Sequence, residues 1–243
     1  MDHTALRVTA HLASSVCVMD DWSPSLDALL EWAWFDERGI SVSPTSETVQ
    51  TADLPVARGG DPDRYPGGWW WCVSSPHYTQ ALQQTDWATK RWEADLIYPV
   101  DWGRRKATIQ TACGPEKSYR LPIFLRSSER IDWWLLGEPT AIKRLLERVT
   151  GLGRRRNIGY GQILSWQVCL ANNDWHLVGP EGQLMRPIPV GAASLNAEWN
   201  NQPRMLWAPH PPGWMPQNWT LCLMPTGNIV RLETAEGVSG GRS

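Results

Sequence analysis

The 243-residue sequence predicts an α+β fold. Three observations predict it: a strand pattern followed at once by a short helix near the start, a second helix that runs into a glycine-rich loop and another strand, and alternating segments between them. Their order is β-α-β-β-α-β with a long insertion, the split βαβ arrangement of a ferredoxin-like (RRM-like) core. Four strands with helices on one face leave the other face free.

Leu6 to Val18 alternates apolar and small polar residues, with Leu6, Val8, Ala10 and Leu12 on one parity, as a first strand does. His11 lies within it. Ser23-Pro24 opens a helix whose buried stripe is Leu26, Leu29, Leu30 and Ala33 and which Gly39 stops. Residues 40–68 are rich in Ser, Thr, Pro and Gly and read as an irregular surface insertion. Trp69-Trp70-Trp71-Cys72-Val73 resumes strand character. Successive strand residues point to opposite faces, so at least one of the three tryptophans meets a partner or a covering loop. His77 reads as a surface turn residue.

From Trp87 to Thr111 charge alternates with aromatic and β-branched groups, as in a protruding β-hairpin arm inserted around residues 86–112. Its exposed face would be basic and aromatic, carrying Lys90, Arg91, Trp92, Trp102, Arg104, Arg105 and Lys106. Ser118–Ser127 and Ile131–Leu136 read as the next core strands. Pro139–Val149 is a helix with Ile142, Leu145, Leu146 and Val149 on one face, and Gly151 takes the left-handed position after it. Tyr160–Leu170 is the last core strand. Residues 1–170 thus form one domain. Residues 171–243 are Pro-rich and predict a small β-rich C-terminal extension, with short strands near Trp175–Val178 and Trp219–Met224 and a frayed end from Gly237.

The chemistry concentrates in Gly151–Gly161, G-L-G-R-R-R-N-I-G-Y-G. Glycines let a backbone turn through positive φ, and arginines supply planar forks that pair with phosphate oxygens. Mononucleotide loops follow a strand and open a helix, whereas this one follows a helix and opens a strand. It lacks the Lys-Ser/Thr pair of a Walker loop, and Arg156 stands where a dinucleotide fingerprint needs glycine. A longer polyanion is left, beside the blander reading of a turn with a solvated basic face. Net charge is −2, yet residues 88–156 hold 15 Lys and Arg against 8 Asp and Glu. The neutral total hides one basic region.

Five dispersed cysteines without a C-x-x-C pair predict reduced thiols and no zinc site, and no cofactor is expected. Absence of a signal-like start or a membrane-length apolar run predicts a soluble, cytoplasmic protein. Seventeen tryptophans predict partners on more than one side.

The ferredoxin-like order, with the glycine-rich loop between the second helix and the last core strand, resembles the repeat-associated (RAMP) superfamily of CRISPR proteins. Within it, Arg7-Val8-Thr9-Ala10-His11-Leu12-Ala13 and Pro24-Ser25-Leu26-Asp27-Ala28-Leu29-Leu30 are similar to the Cas5-like subunit of type IV effectors. The resemblance spans about the first 170 residues. It implies a non-catalytic subunit that binds the 5′ handle of a CRISPR RNA and caps the backbone filament in defence against plasmids or phage. The implied neighbours are the first filament subunit and the large subunit, with target-flanking DNA as a further open partner. By match of motif, Gly151, Gly153, Arg154, Arg155, Arg156, Gly159 and Gly161 would face the RNA, and the Lys90–Lys106 arm corresponds to the thumb laid across the guide. Two other functions remain open. One is a metal-independent repeat endoribonuclease using His11 or His77; the other is a protein-interaction subunit with little RNA affinity of its own.

Overall fold

The computed structural model describes residues 3–41, 51–61, 68–91 and 117–226. Its centre is a four-stranded antiparallel sheet built from β1 (Thr4–Leu12), β5 (His77–Tyr78), β8 (Arg130–Gly137) and β9 (Ile163–Leu170), in the order β5-β8-β1-β9. Among the described residues there are two α-helices, α1 (Leu26–Glu37) after β1 and α2 (Pro139–Leu146) after β8. The fold class is α+β.

Each helix begins where its sequence supplies a cap. Ser25 is the N-cap of α1, while the Asp27 carboxylate accepts from Ala28 N–H at 3.0 Å. Gly39, at φ +65°, carries the chain out at the other end. Glu138 caps α2 by accepting from Thr140 N–H at 2.9 Å and Ala141 N–H at 2.7 Å, and Pro139, which has no N–H, fits the first turn because a donor there would have no intrahelical partner. Arg144 of α2 and Arg148, in the turn after it, reach Glu37 and Asp36 of α1 at 3.2 and 2.6 Å. The apolar stripes, Leu26, Leu30 and Ala33 on one helix and Ile142, Leu145 and Leu146 on the other, close over Leu6, Val8, Ile131, Trp133 and Leu135 of the sheet.

The expected first strand is broken. Residues 13–15 turn out of the sheet, and β2 (Val16–Cys17) joins a second sheet with β6 (Leu82–Lys90) and β7 (Tyr119–Ser127). Ser118–Ser127 is therefore not a core strand: it is the return strand of the arm, paired along its length from Leu82↔Ser127 to Lys90↔Tyr119. Alternation along a strand is local, whereas the partner it pairs with is not, so the pattern alone could not assign the sheet. The second core position belongs to the two-residue β5.

Residues 51–57 are not a surface insertion. Ala52, Leu54 and Val56 are buried in the main core at alternate positions, and the segment runs beside β8 through the Val56↔Gly137 bridge. Nor is the far face of the sheet wholly free, because Trp175 and Met185 cover Trp134 there.

The three tryptophans lie on β4 (Trp69–Trp71), which pairs with β3 (Arg58–Gly60). Strand alternation sends them to different places. Trp71 enters the main core, and Trp70 enters a second core with Leu184, Ile188, Trp199 and Leu223. Trp69 stacks on His210, ring centres 3.9 Å apart. The covering element is the chain's own C-terminal region, whose sheet orders β10 (Ile188–Pro189), β12 (Thr220–Leu223) and β11 (Arg204–Trp207).

Beneath this junction lie three buried charged side chains. Arg186 donates to the carbonyls of Trp71, Val73 (2.8 Å), Pro209 (2.5 Å) and Pro187 (3.4 Å) and pairs with Asp27 at 3.5 Å. Glu31, one helical turn from Asp27, has an ordinary value near 4.5 pushed up to about 7, by burial first and by the Asp27 charge second. The folded state therefore holds this proton more tightly than the unfolded chain. The stabilisation is full below pH 4.5 and is lost as pH rises toward 7, on the order of 3 kcal/mol in all. Thermal melts should show the midpoint falling between pH 5 and 7, with a shallower slope in Glu31→Gln. An unchanged slope in that variant would assign the titration elsewhere.

Candidate nucleic-acid interface

The glycine-rich loop leaves α2 and lies down on the corner between β1 and β2. Gly161 N–H donates to Ser15 O at 2.8 Å, Leu152 N–H to Gly161 O at 2.8 Å, and Arg154 N–H to Cys17 O at 3.0 Å. Ser14 Oγ donates to Gly159 O at 2.8 Å and accepts from Gln162 N–H at 2.9 Å. Gly153, Gly159 and Gly161 have φ of +70°, +96° and +68°. A Cβ on Gly153 would stand 2.5 Å from Cys17 O, and one on Gly161 2.0 Å from Leu152 O. These two glycines allow the loop to approach its own chain. Gly159 faces open space. Gly151 differs from expectation: it is extended, bridged to Gln162, and α2 ends earlier with Glu147 as its cap in the right-handed region.

Clamped at both ends, the loop leaves Arg154, Arg155 and Arg156 exposed, with the Arg156 guanidinium donating back to Gly151 O at 3.4 Å. Among the described residues none of the three has a carboxylate within ion-pairing distance. Arg155 has φ +58°, the left-handed region that side chains other than glycine's occupy at a cost of about 1 kcal/mol.

The arm adjoins this loop. Tyr160 donates its hydroxyl proton to the Asp86 carboxylate of β6, and, like Ala88, it packs against the cluster of Cys17, Ile123 and Leu125. That bond and the Trp87 N–H hold the Asp86 carboxyl below its usual range, and the same bond raises the Tyr160 phenol. In the pairing register, Asp86↔Ile123, Ala88↔Leu121 and Lys90↔Tyr119 share one face of the arm. Lys90 therefore stands on the Tyr160 face, about 13 Å further along β6. Leu121 and Tyr119 are exposed on that face. On the opposite face the Arg120 guanidinium lies 4.2 Å over the Trp87 ring.

Of the sequence candidates, the structure brings Gly151, Gly153, Arg154, Arg155, Arg156, Gly159, Gly161 and Lys90 to one side, and Arg91 follows Lys90, exposed. Trp92, Trp102, Arg104, Arg105 and Lys106 lie outside the described residues. His77 is not a surface turn residue: it sits in β5 with its ring edge-on to Trp134, centres 5.2 Å apart, and burial pushes it down to about 4. Its two ring nitrogens have no hydrogen-bond partner among the described residues. His11 stays on β1, half-buried. The junction residues Tyr160 and Asp86 escaped the sequence reading, although an aromatic between two loop glycines was a visible signal.

Among the described residues no helix is long and apolar enough to cross a membrane. No curated protein matches the chain. A family model described as CRISPR type IV associated protein Csf3 matches residues 4–221, most of the sequence, and the chain belongs to that family.

Proposed function

We propose that the protein is a non-catalytic, cytoplasmic RNA-binding subunit of a type IV CRISPR effector complex. It holds the 5′ handle of the CRISPR RNA and caps the backbone filament, with the first filament subunit and the large subunit as neighbours. The observation that carries this reading is the Tyr160–Asp86 contact, which sets the exposed triple arginine and the arm side by side. Three exposed arginines on a clamped loop, with no carboxylate within ion-pairing distance among the described residues, suit a phosphate backbone, and the left-handed Arg155 reads as strain kept for display. The sheet order β5-β8-β1-β9, with a helix after β1 and after β8, supports a ferredoxin-like core. A repeat-cleaving role is disfavoured by His77, whose buried ring stays neutral at working pH and whose nitrogens have no hydrogen-bond partner among the described residues.

Filter binding of single-stranded repeat RNA tests the proposal. If about five phosphates are neutralised, a fourfold rise in salt weakens binding on the order of a hundredfold. Arg154→Glu with Arg155→Glu should abolish measurable binding at moderate salt while leaving the melting curve unchanged. Salt-insensitive binding, retained guide in the double variant, or cleavage of the RNA would overturn it.

A further inference from the structure

A cleft of about 480 Å³ opens between the segment that enters α1 and the C-terminal sheet. Its walls include Trp22, Trp207 and Trp219, its floor is the Asp27–Arg186 pair, and Arg154 of the glycine-rich loop stands at its edge. We propose that this cleft receives one unstacked nucleobase of the RNA strand whose phosphates run over Arg154–Arg156. This rests on the RNA-binding reading above and adds a second subsite to it.

Arg154 makes the connection. The same residue belongs to the exposed arginine run and to the lining of the cleft, so a phosphate held by its guanidinium places the attached nucleotide at the opening. The walls suit a flat ring. Trp22 and Trp207 lock each other edge-to-face at 5.4 Å and 70°, and Trp219, fixed by its indole N–H bond to Gly213 O at 2.7 Å, is still 51 % exposed. Rigid, half-open indoles are the platform on which single-stranded bases stack.

The floor decides how the base is read. Arg186 spends its donors on Trp71, Val73, Pro187, Pro209 and Asp27, and Asp27 also accepts from Ala28 N–H. Little hydrogen-bonding capacity is left there to discriminate base edges, so stacking dominates and base identity matters little. A saturated, neutral floor also spares an aromatic ring from stranding a buried charge.

An abasic scan of the repeat RNA, in filter binding with the full chain, tests the proposal. One abasic position should cost about tenfold in affinity while its neighbours cost far less, and any natural base at that position should bind within about threefold. Trp219→Ala should cost a similar factor and abolish the penalty at that position, with Trp219→Phe restoring most of it; the exposure of Trp219 leaves the fold intact. A flat abasic scan, or full affinity in Trp219→Ala, would overturn the cleft as a base site. If the Arg154→Glu, Arg155→Glu variant still loses RNA in that case, the RNA-binding reading survives alone. A wild-type chain that binds no RNA at low salt ends both.

Discussion

Arg186→Met is expected to lower the unfolding free energy by about 3 to 5 kcal/mol, the cost of breaking a buried ion pair from one side. Arg186 is 6 % exposed and Asp27 3 %. Without the guanidinium, Asp27 keeps a carboxyl that burial already pushes up and loses the charge that opposes the shift. The carbonyls of Trp71, Val73 and Pro209 lose their donor at the same time. Because these belong to β4 and the residues just after it and to the C-terminal region, the damage reaches both, and urea denaturation should show one earlier transition with an unchanged slope. Adding Asp27→Leu to the Met variant should recover part of the loss by removing the stranded carboxyl. A loss under about 1 kcal/mol would mean that water replaces the guanidinium, contrary to the burial described.

Gly161→Ala is expected to cost about 3 kcal/mol, against about 1 kcal/mol for Gly159→Ala. Both positions have positive φ, so both variants lose glycine's conformational freedom. Only at Gly161 would the new methyl meet backbone, 2.0 Å from Leu152 O; Gly159 has open space. The loop must lift from Ser15 and Leu152 to make room, carrying Arg154–Arg156 with it. RNA affinity should therefore fall in Gly161→Ala and hold in Gly159→Ala. Equal melting temperatures for the two variants would show that the loop does not lie against its own chain as described.

Much of this molecule was legible beforehand because its signals are local. Ser23-Pro24 and Gly39 bracket α1, whose N-cap falls two residues later at Ser25; Pro139 marks the start of α2, and Ile142, Leu145 and Leu146 repeat at helical spacing. The cationic loop could be read for the same reason, since four glycines and three arginines within eleven residues need no tertiary context to be noticed. Apart from the end of α2, which comes before Val149 with Glu147 as its cap, the misreadings were questions of pairing or burial. His77 looked like part of a turn because Ser75-Pro76 precedes it, yet β8 and Trp134 enclose it. Residues 51–57 read as part of a surface insertion because their three apolar positions are diluted by Asp53 and Pro55, yet those positions fill the core.

The amino-acid order by itself determined the two helices, the triple arginine and its flanking glycines, since capping, helical period and side-chain charge act within a few residues. Only the tertiary structure decided that Tyr119–Ser127 belongs to the arm, that the three tryptophans divide between two cores, and that Tyr160 ties the loop to Asp86. Each of these depends on which distant segment arrives alongside, and that choice is settled by shape and burial summed over the whole chain.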